Sequence, residues 1–277
     1  MKKSILVSSA LLLILSSGCQ VEMETNNNET EFERVSVEAS ILSTRTSVDG
    51  LSPVWSEGDQ VAFITEDLQV CPPFTADEDG TTTTFSGEKP SGSRLMYALY
   101  PYDPSTSYSK SGIMTTLPSV QDGSFSNAIM VAEGNETDGF IFDNVCCLIK
   151  MNVPSSLNIV RVEVFSEEQL TGGFGVYSTE KGLQVVASSP SGISEQKAVV
   201  SRKGDIVSGD IYAAILPSEA EKLNLAFINA SGKVATVSKA LSSGHPLSSG
   251  TMKDLGTVRN LSFGAAAPIS DPTYSQL

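Results

Sequence analysis

The feature that most constrains the fold of this chain is the period of its apolar residues. Val35, Val37, Ala39 and Ile41, for example, alternate with polar residues. Successive side chains of a strand point to opposite faces of a sheet, so a period of two predicts β-strands, whereas a helix has a period of about 3.6 residues. No segment after the first twenty residues sustains the helical period. The sequence therefore predicts an all-β protein, built as a sandwich or barrel.

Further apolar runs, each bounded by turn residues, predict strands along the rest of the chain. The first run, Val35–Ile41, is expected to be an edge-like strand. Phe74–Phe85 predicts two strands joined by a turn at Asp79-Gly80, and Ala230–Lys233 predicts a second hairpin turn. Gly172–Gly175 is rich in glycine, lacks the lysine of a phosphate-binding loop and predicts a loop or bulge. The other predicted strands are 61–64, 95–100, 128–131, 146–153, 160–165, 183–187, 198–201, 211–216, 223–228 and 234–237.

The start of the chain has the pattern of an export signal. Two lysines follow the first methionine, an apolar run extends from Ile5 to Leu15, and small residues lead to Cys19. The apolar run is too short to span a bilayer, so a cleaved signal peptide is predicted. Its small-small-cysteine ending resembles a lipobox, in which Cys19 is acylated and becomes the first residue of the mature chain, although Leu15 lies four residues before it rather than three. The alternative is a soluble secreted protein with a free Cys19.

Polar stretches divide the rest of the chain. The residues after Cys19 are rich in Asn, Glu and Thr and predict a flexible tether. Acidic residues there resemble the surface-export signal of some Gram-negative anaerobes, and a plain spacer is the alternative. A second polar stretch, Glu133–Gly139, indicates a domain boundary. The predicted parts are a signal peptide (1–18), a tether (19–33), an N-terminal β-sandwich (34–138), a C-terminal β-sandwich (139–263) and a non-alternating tail (264–277).

Charge and histidine content exclude several classes of function. The net charge is −14, whereas nucleic acid and anionic lipid surfaces require clustered Lys and Arg. The chain has a single histidine, His245, in a turn-like stretch, and a catalytic triad needs a histidine that shuttles protons. Carboxylate pairs such as Glu57 with Asp59 are interpreted as solvated surface groups. The sequence predicts that the protein is not an enzyme.

Neither the remaining cysteines nor an acidic turn has the pattern of a metal site. Cys71, Cys146 and Cys147 do not have the spacing of a zinc site, and the last two lie in an apolar run that predicts buried thiols. The run from Asp77 to Glu88 has carboxylates at three positions of a calcium loop, but its glycine is fourth rather than sixth and no helices flank it. We expect no metal and no cofactor.

Several short motifs occur in an order that resembles one family. A Trp-x-x-Gly-Asp turn leads into an apolar strand, and a tyrosine-rich element, a Leu-Pro-x-x-Gln turn and a Phe-x-Asn strand follow. In this order behind a lipobox, they resemble the fimbrillin family, which comprises type V pilins and their accessory subunits, over residues 34–263. The first turn also has a purely structural explanation, with Gly58 at positive φ and Trp55 in the core. The matching segments are Thr44–Ser47, Trp55–Ala62, Tyr97–Tyr102, Leu117–Gln121 and Phe142–Asn144.

The resemblance implies two tandem transthyretin-like sandwiches, no cofactor, and assembly by donor-strand exchange. Members of the family travel as lipoproteins, and a protease cuts after an arginine in the first loop. The first strand is then lost, and a strand of the neighbouring subunit fills the groove. Arg45 is a better cleavage candidate than Arg34, because cutting there removes the whole first strand with the anchor; a loop arginine that is never cut is the alternative. No alternating donor strand follows Phe263, which favours a tip, anchor or other accessory role.

The expected protein is therefore an adhesive pilus subunit on the outer membrane or in the fimbrium. Its expected partners are other pilus subunits, the membrane through the lipid anchor of the precursor, and a host or bacterial surface ligand. The alternative is an outer-membrane surface lipoprotein that binds glycans or other ligands through a face of a β-sandwich. Trp55 is the only tryptophan, and aromatic residues total 7%, which argues against an aromatic stacking platform.

Overall fold

The regular structure of the chain is β-strand, as the alternating pattern predicts, with two short 3-10 turns at Phe125–Asn127 and Ser155–Leu157. The computed structural model describes residues 31–42, 54–109, 112–179, 182–187, 196–241 and 247–264. The first ten strands are β1 (Phe32–Ile41), β2 (Gln60–Thr65), β3 (Phe74–Ala76), β4 (Thr82–Pro90), β5 (Leu95–Tyr100), β6 (Ser107–Ser109), β7 (Gly112–Leu117), β8 (Val120–Gln121), β9 (Met130–Asn135) and β10 (Gly139–Asn144). The next nine are β11 (Cys147–Val153), β12 (Ile159–Phe165), β13 (Gly172–Thr179), β14 (Gly182–Ala187), β15 (Lys197–Ser201), β16 (Gly209–Ile215), β17 (Lys222–Asn229), β18 (Val234–Ala240) and β19 (Met252–Thr257).

Seven strands of the first half close into a barrel, in the order β1-β10-β9-β5-β2-β3-β4. Alternate apolar side chains point inward, and the rings of Phe63, Phe74, Phe85 and Phe140 fill the interior. β1 pairs with β4 along its length but with β10 only from Ala39 to Ile41. The expected edge-like strand therefore has an unpaired edge up to Glu38 and is enclosed on both sides at its end. The barrel closes through β1, which removes most free strand edges from this half of the molecule.

The other strands form three sheets, ordered β16-β11-β19, β18-β17-β12-β15-β8 and β14-β13-β7-β6. The first two pack against each other around one core that includes Ile149, Val162 and Phe227. A further core contains Leu99 of the barrel and Phe174 of the third sheet, so it joins these two parts. The described residues from Glu31 onward belong to one compact unit.

The chain crosses between these sheets more than once. β7 and β8 precede β10 in the sequence, yet β7 pairs with β13 and β8 pairs with β15, while β6 pairs with β7. β10 instead completes the barrel. The first half is a closed barrel rather than an open sandwich because β1 and β10 are hydrogen-bonded. The division into two folding domains at residue 139 stays a prediction.

The glycine-rich segment Gly172–Gly175 forms the start of strand β13, so the expectation of a loop or bulge is wrong. β13 is paired on both sides, with β14 and with β7. A Cβ atom on Gly175 would lie 2.6 Å from the Tyr177 hydroxyl oxygen. Glycine therefore serves here to let a tyrosine ring pass close to the backbone of a paired strand, and it does not interrupt the strand.

Both predicted hairpins are present. β3 and β4 pair across the Asp79-Gly80 turn, and the backbone of Gly80 also bridges to Trp55. β17 and β18 are joined by a turn in which the Asn229 side chain accepts hydrogen bonds from the backbone of Ser231 and Lys233, both at 3.0 Å. These turns keep their strands adjacent in sequence, which is why local residues were sufficient to predict them.

Candidate functional site

Strand β1 pairs with one neighbour, β4, along its length. Its other neighbour, β10, pairs with it only at its C-terminal end. Strand β1 forms nine antiparallel residue pairs with β4, from Phe32↔Pro90 to Ser40↔Thr82. With β10 it forms three parallel pairs, from Ala39↔Phe140 to Ile41↔Phe142. The second edge of β1 is therefore free until Ala39, and the strand is clamped between two neighbours only where it leads into the next loop.

The inward face of β1 completes the barrel core. Val37 and Ala39 are each 1% exposed, Ile41 is 9% exposed, and Val35 packs against the same cluster. The four residues therefore share one face and pack into the core of the barrel. Burying such side chains contributes about 1.5–3 kcal/mol for each valine or isoleucine and less for alanine.

We call the site that β1 occupies the β1 groove. Its wall along β4 is the row of residues that pair with the inward face of β1, and its floor consists of aromatic rings. Trp55 lies at the centre of this floor, with ring centroids 5.0 Å from Phe85 and 5.1 Å from Phe142, in edge-to-face contacts. A groove lined in this way is apolar and fits an extended strand. The β1 groove consists of Thr83, Phe85, Gly87 and Lys89 of β4, Phe140 and Phe142 of β10, and Trp55.

A glycine permits the close parallel contact at the clamped end. Gly139 begins β10 with a φ of +78°, and a Cβ atom there would lie 2.9 Å from the carbonyl oxygen of Glu38. Beyond β1, the backbone N–H of Leu42 donates to the carbonyl oxygen of Phe142 at 2.9 Å. Any residue other than glycine at 139 would be strained and would push β10 away from β1.

The other end of the β1 groove is charged. Glu33 of β1 pairs directly with Lys89 of β4, on the same face as the apolar residues. The Lys89 ammonium lies 3.1 Å from a carboxylate oxygen of Glu33 and 3.1 Å from one of Glu136, and it also donates to the carbonyl oxygen of Ser93. Lys89 is 7% exposed, so it is a nearly buried cation with two carboxylate partners.

The pKa values of this cluster move in the directions that ion pairing predicts. The hydrogen bond from Lys89 lowers the pKa of Glu33. Burial raises the pKa of Glu136, but hydrogen bonds from the backbone N–H of Leu95 and from Lys89 outweigh this effect and lower it overall. Burial lowers the pKa of Lys89, and its bonds to both carboxylates raise it further than burial lowers it. All three groups are therefore stabilised in their charged forms.

The Trp-x-x-Gly-Asp turn has the structural role given above. Trp55 is 1% exposed, and Gly58 has a φ of +89°, which confirms both expectations. The Asp59 carboxylate accepts the backbone N–H of Ser56 at 2.9 Å and the hydroxyl of Tyr100 at 3.3 Å. The turn thus fixes the tryptophan beneath β1, and its indole is not available as an exposed stacking surface.

The sequence-predicted site residues are only partly within the described structure. Cys19, Arg45 and His245 lie outside the described residues. Arg34 lies on the exposed face of β1. Cys71, Cys146 and Cys147 are buried free thiols, and burial raises the pKa of Cys71 to about 11 and that of Cys146 to about 12. Thiols in this environment behave as apolar side chains rather than nucleophiles.

The acidic turn between β3 and β4 is held by its own hydrogen bonds. Asp79 accepts the backbone N–H of Glu57 at 2.7 Å, and Asp77 accepts the hydroxyl of Ser86 at 3.0 Å. No group of three or more potential metal ligands occurs among the described residues. Sequence reasoning missed Glu33, Lys89 and Glu136, because no short-range pattern connects residues that far apart in the chain.

Comparison with solved structures identifies proteins of similar fold. The chain superposes on a candidate cell adhesion protein from Bacteroides uniformis with a TM-score of 0.53 and 15% identity, covering 83% of this chain and 96% of the other. The chain therefore shares the overall fold of that protein. A second candidate cell adhesion protein, from Bacteroides ovatus, has a TM-score of 0.49 at 13% identity, covering 87% of this chain and all (100%) of the other. The tip fimbrial protein Mfa3 from Porphyromonas gingivalis, truncated at its C-terminus, has a TM-score of 0.38 at 10% identity, covering 84% of this chain and 99% of the other.

These identities are too low to carry more than the fold. No family model matches this chain, and no curated protein sequence does so significantly. Among the described residues, no helix is long and apolar enough to cross a membrane.

Proposed function

We propose that this chain is a structural and adhesive subunit of a cell-surface pilus, assembled by replacement of strand β1. The observation that carries the proposal is the geometry of β1. It is the first strand of the described chain, it fills the core of the barrel, and it leads directly into the segment that contains Arg45. A cut after Arg45 would separate the whole strand from the barrel that it completes.

The β1 groove has the properties that strand addition requires. A replacement strand would find the open backbone edge of β4, with nine residue positions for a hydrogen-bond ladder, and the apolar floor beneath it. The four apolar side chains of β1 indicate a gross gain of about 5–10 kcal/mol. Ordering the incoming strand subtracts from this gain. A strand that arrives tethered to a folded neighbour would therefore bind durably.

In this proposal, the precursor is a lipoprotein anchored through Cys19, and it reaches the outer membrane surface before Arg45 is cut. Multiple acyl chains on one cysteine give durable anchoring, since each buried methylene adds about 0.8 kcal/mol. The tandem transthyretin-like arrangement and a tip, anchor or accessory position are also part of the proposal. The partners are other pilus subunits and a surface ligand on a host or bacterial cell.

The test is the N-terminal sequence and mass of the protein isolated from surface fibres. We expect assembled protein to begin at Thr46 and to migrate as heat-labile, SDS-resistant oligomers. The Arg45→Ala variant is expected to accumulate as an uncut, acylated precursor. Assembled fibres made only of chains that begin at Cys19 would overturn strand removal. The Cys19→Ala variant should lose acyl labelling and leave the membrane fraction, and unchanged labelling would overturn the anchor.

One observation favours the second candidate function, glycan binding by a surface lipoprotein. A cavity of about 300 Å³ beside the clamped end of β1 is lined by Trp55, Tyr100, Phe125 and Tyr212. The indole N–H of Trp55 has no hydrogen-bond partner in the described structure. Titration of the purified protein with a glycan library tests this candidate. Binding that Phe125→Ala abolishes without loss of stability would support it.

A further inference from the structure

The charged end of the β1 groove indicates which kind of residue its occupant carries there. We infer that the strand which replaces β1 carries a carboxylate at the position of Glu33, two residues before its first inward apolar residue. Lys89 forms an ion pair with this carboxylate and thereby sets the register of the incoming strand. This inference rests on the proposed function. It adds the chemistry of the partner, which the apolar floor alone does not define.

A row of β4 residues faces the inserted strand. Thr83, Phe85 and Gly87 oppose Ala39, Val37 and Val35. The next residue on the same face of β4 is Lys89, which opposes Glu33. The row is therefore uncharged along the apolar part of the strand and changes to a cation at one end. That cation is the only charged position along this row.

A strand inserted in a mismatched register would be destabilised at Lys89. A strand keeps its inward face only if it shifts by two residues, because a shift of one turns every apolar side chain outward. A shift of two in one direction would place Val35 against Lys89. The apolar Val35 would then cover the Lys89 ammonium, which would lack the carboxylate at the Glu33 position. Burying a charge that has lost one of its partners is costly. The apolar floor alone would not penalise this shift as strongly.

Lys89 does not depend on β1 for its position. Glu136, from the turn between β9 and β10, lies 3.1 Å from the ammonium, and it also accepts the backbone N–H of Leu95 at 3.0 Å. The carbonyl of Ser93 accepts a further hydrogen bond from Lys89. These partners belong to the barrel and remain when β1 leaves. The cation is therefore held in place at the end of an empty groove.

The pattern expected of the partner follows from these positions. It is an extended segment with an acidic residue, then apolar residues at the second, fourth, sixth and eighth positions after it, as in Glu33-x-Val35-x-Val37-x-Ala39-x-Ile41. The outward residues between them are exposed or half-buried in this structure and carry no such requirement.

The experiment uses the mature chain with an engineered site for a specific protease inserted after Arg45. After cutting, β1 stays bound without a covalent link, and a fluorescent label on it reports its displacement by synthetic peptides of residues 31–42. The wild-type peptide is compared with a Glu33→Gln peptide and with a Glu38→Gln peptide, whose change lies on the exposed face. A further peptide exchanges Glu33 and Val35 and keeps the same composition.

We expect the Glu33→Gln peptide to need about fivefold more material for half-displacement, and the exchanged peptide more still, while the Glu38→Gln peptide matches the wild type. In a Lys89→Met protein cut in the same way, the wild-type and Glu33→Gln peptides should compete equally. If Glu33→Gln and Glu38→Gln peptides compete equally in the unaltered protein, Lys89 does not recognise the carboxylate of the incoming strand. That result would leave strand replacement itself in place. If the wild-type peptide displaces nothing, strand replacement itself fails.

Discussion

At the scale of single residues, the side-chain amide of Gln121 makes the pair of hydrogen bonds to a backbone that a neighbouring strand would make. Its amide nitrogen donates to the carbonyl oxygens of Ala214 at 2.8 Å and Pro118 at 3.0 Å, and its amide oxygen accepts the backbone N–H of Ala214 at 2.8 Å. Gln121 lies in β8 and Ala214 in β16, which belong to different sheets. The Leu-Pro-x-x-Gln turn therefore joins two sheets, and this gives the motif a structural role.

The Gln121→Ala variant is expected to destabilise the protein by about 3 kcal/mol. The change leaves the N–H and the carbonyl of Ala214 buried without the amide that satisfied them, and each unsatisfied group costs about 1–3 kcal/mol. Urea unfolding of the two proteins measures the difference. Gln184→Ala, at an exposed position of β14, is the matched control and should change little. Similar losses in both variants would contradict the role of the Gln121 amide.

The carboxylate of Glu136 should contribute to acid sensitivity. Its pKa is below the ordinary value of 4.5, since hydrogen bonds from Leu95 and Lys89 outweigh the upward effect of burial. A carboxylate with a lowered pKa in the folded state stabilises the fold above its unfolded pKa, and this contribution is lost as the pH falls through the folded value. Glu136→Gln should therefore show a smaller drop in its urea midpoint between about pH 5 and pH 3 than wild type.

The matched control for this measurement is Glu133→Gln, which changes an exposed carboxylate three residues earlier. Its acid sensitivity should follow that of wild type more closely than that of Glu136→Gln. If the Glu136→Gln protein loses stability as steeply as wild type over this range, the ion pair with Lys89 does not contribute to the free energy of unfolding.

What the sequence could predict about single residues depended on the distance to their partners. Trp55 and Gly58 were predicted because a local turn determines both. The roles of Gln121 and Lys89 were not, since Ala214 lies 93 residues after Gln121 and Glu33 lies on another strand from Lys89. A long-range polar contact leaves no periodic pattern in a single chain.

At the scale of elements, strands with strict apolar alternation were predicted and others were missed. β1 and β17 alternate or run apolar, so their burial follows from sequence. β7 was missed because a threonine, Thr115, takes a core position, where its hydroxyl lies 2.9 Å from that of Thr106. β13 was missed because its glycines, which usually weaken a strand, are required by close contacts.

The variant Ala39→Asp tests whether β1 is needed in the uncut protein. Ala39 is 1% exposed, and its backbone lies between β4 and β10, so the new carboxylate would be buried without a partner. We expect a clear fall in melting temperature, larger at pH 7 than at pH 4, because burial favours the neutral acid. Ser36→Asp places the same group on the exposed face of β1 and should have a small effect. An unchanged melting temperature for Ala39→Asp would mean that the segment is a tether.

At the scale of the whole molecule, the barrel does not stand apart from the rest of the chain. Leu99 and Val131 of the barrel share a core with Leu117, Phe174 and Leu148 of the other sheets. Turn residues and polar stretches along the chain predict two successive sandwiches, and this division stays a prediction. The interleaved pairing of β7 and β8 with later strands depends on contacts that chain order does not reveal. This shared core gives the barrel support that does not pass through β1.

The last prediction follows from that support. A protein that begins at Thr46 lacks β1 but keeps the shared core, so we expect it to retain β-structure while the β1 groove exposes its aromatic floor and the free edge of β4. Exposed apolar surface next to an unpaired strand favours association with other chains. Sedimentation should show concentration-dependent oligomers of this protein, whereas the uncut chain stays monomeric. A peptide of residues 31–42 should return it to the monomer, and the same peptide with Ala39→Asp should not. A truncated protein that remains monomeric at all concentrations and binds neither peptide would show that the groove closes by itself, and strand replacement would lose its structural basis.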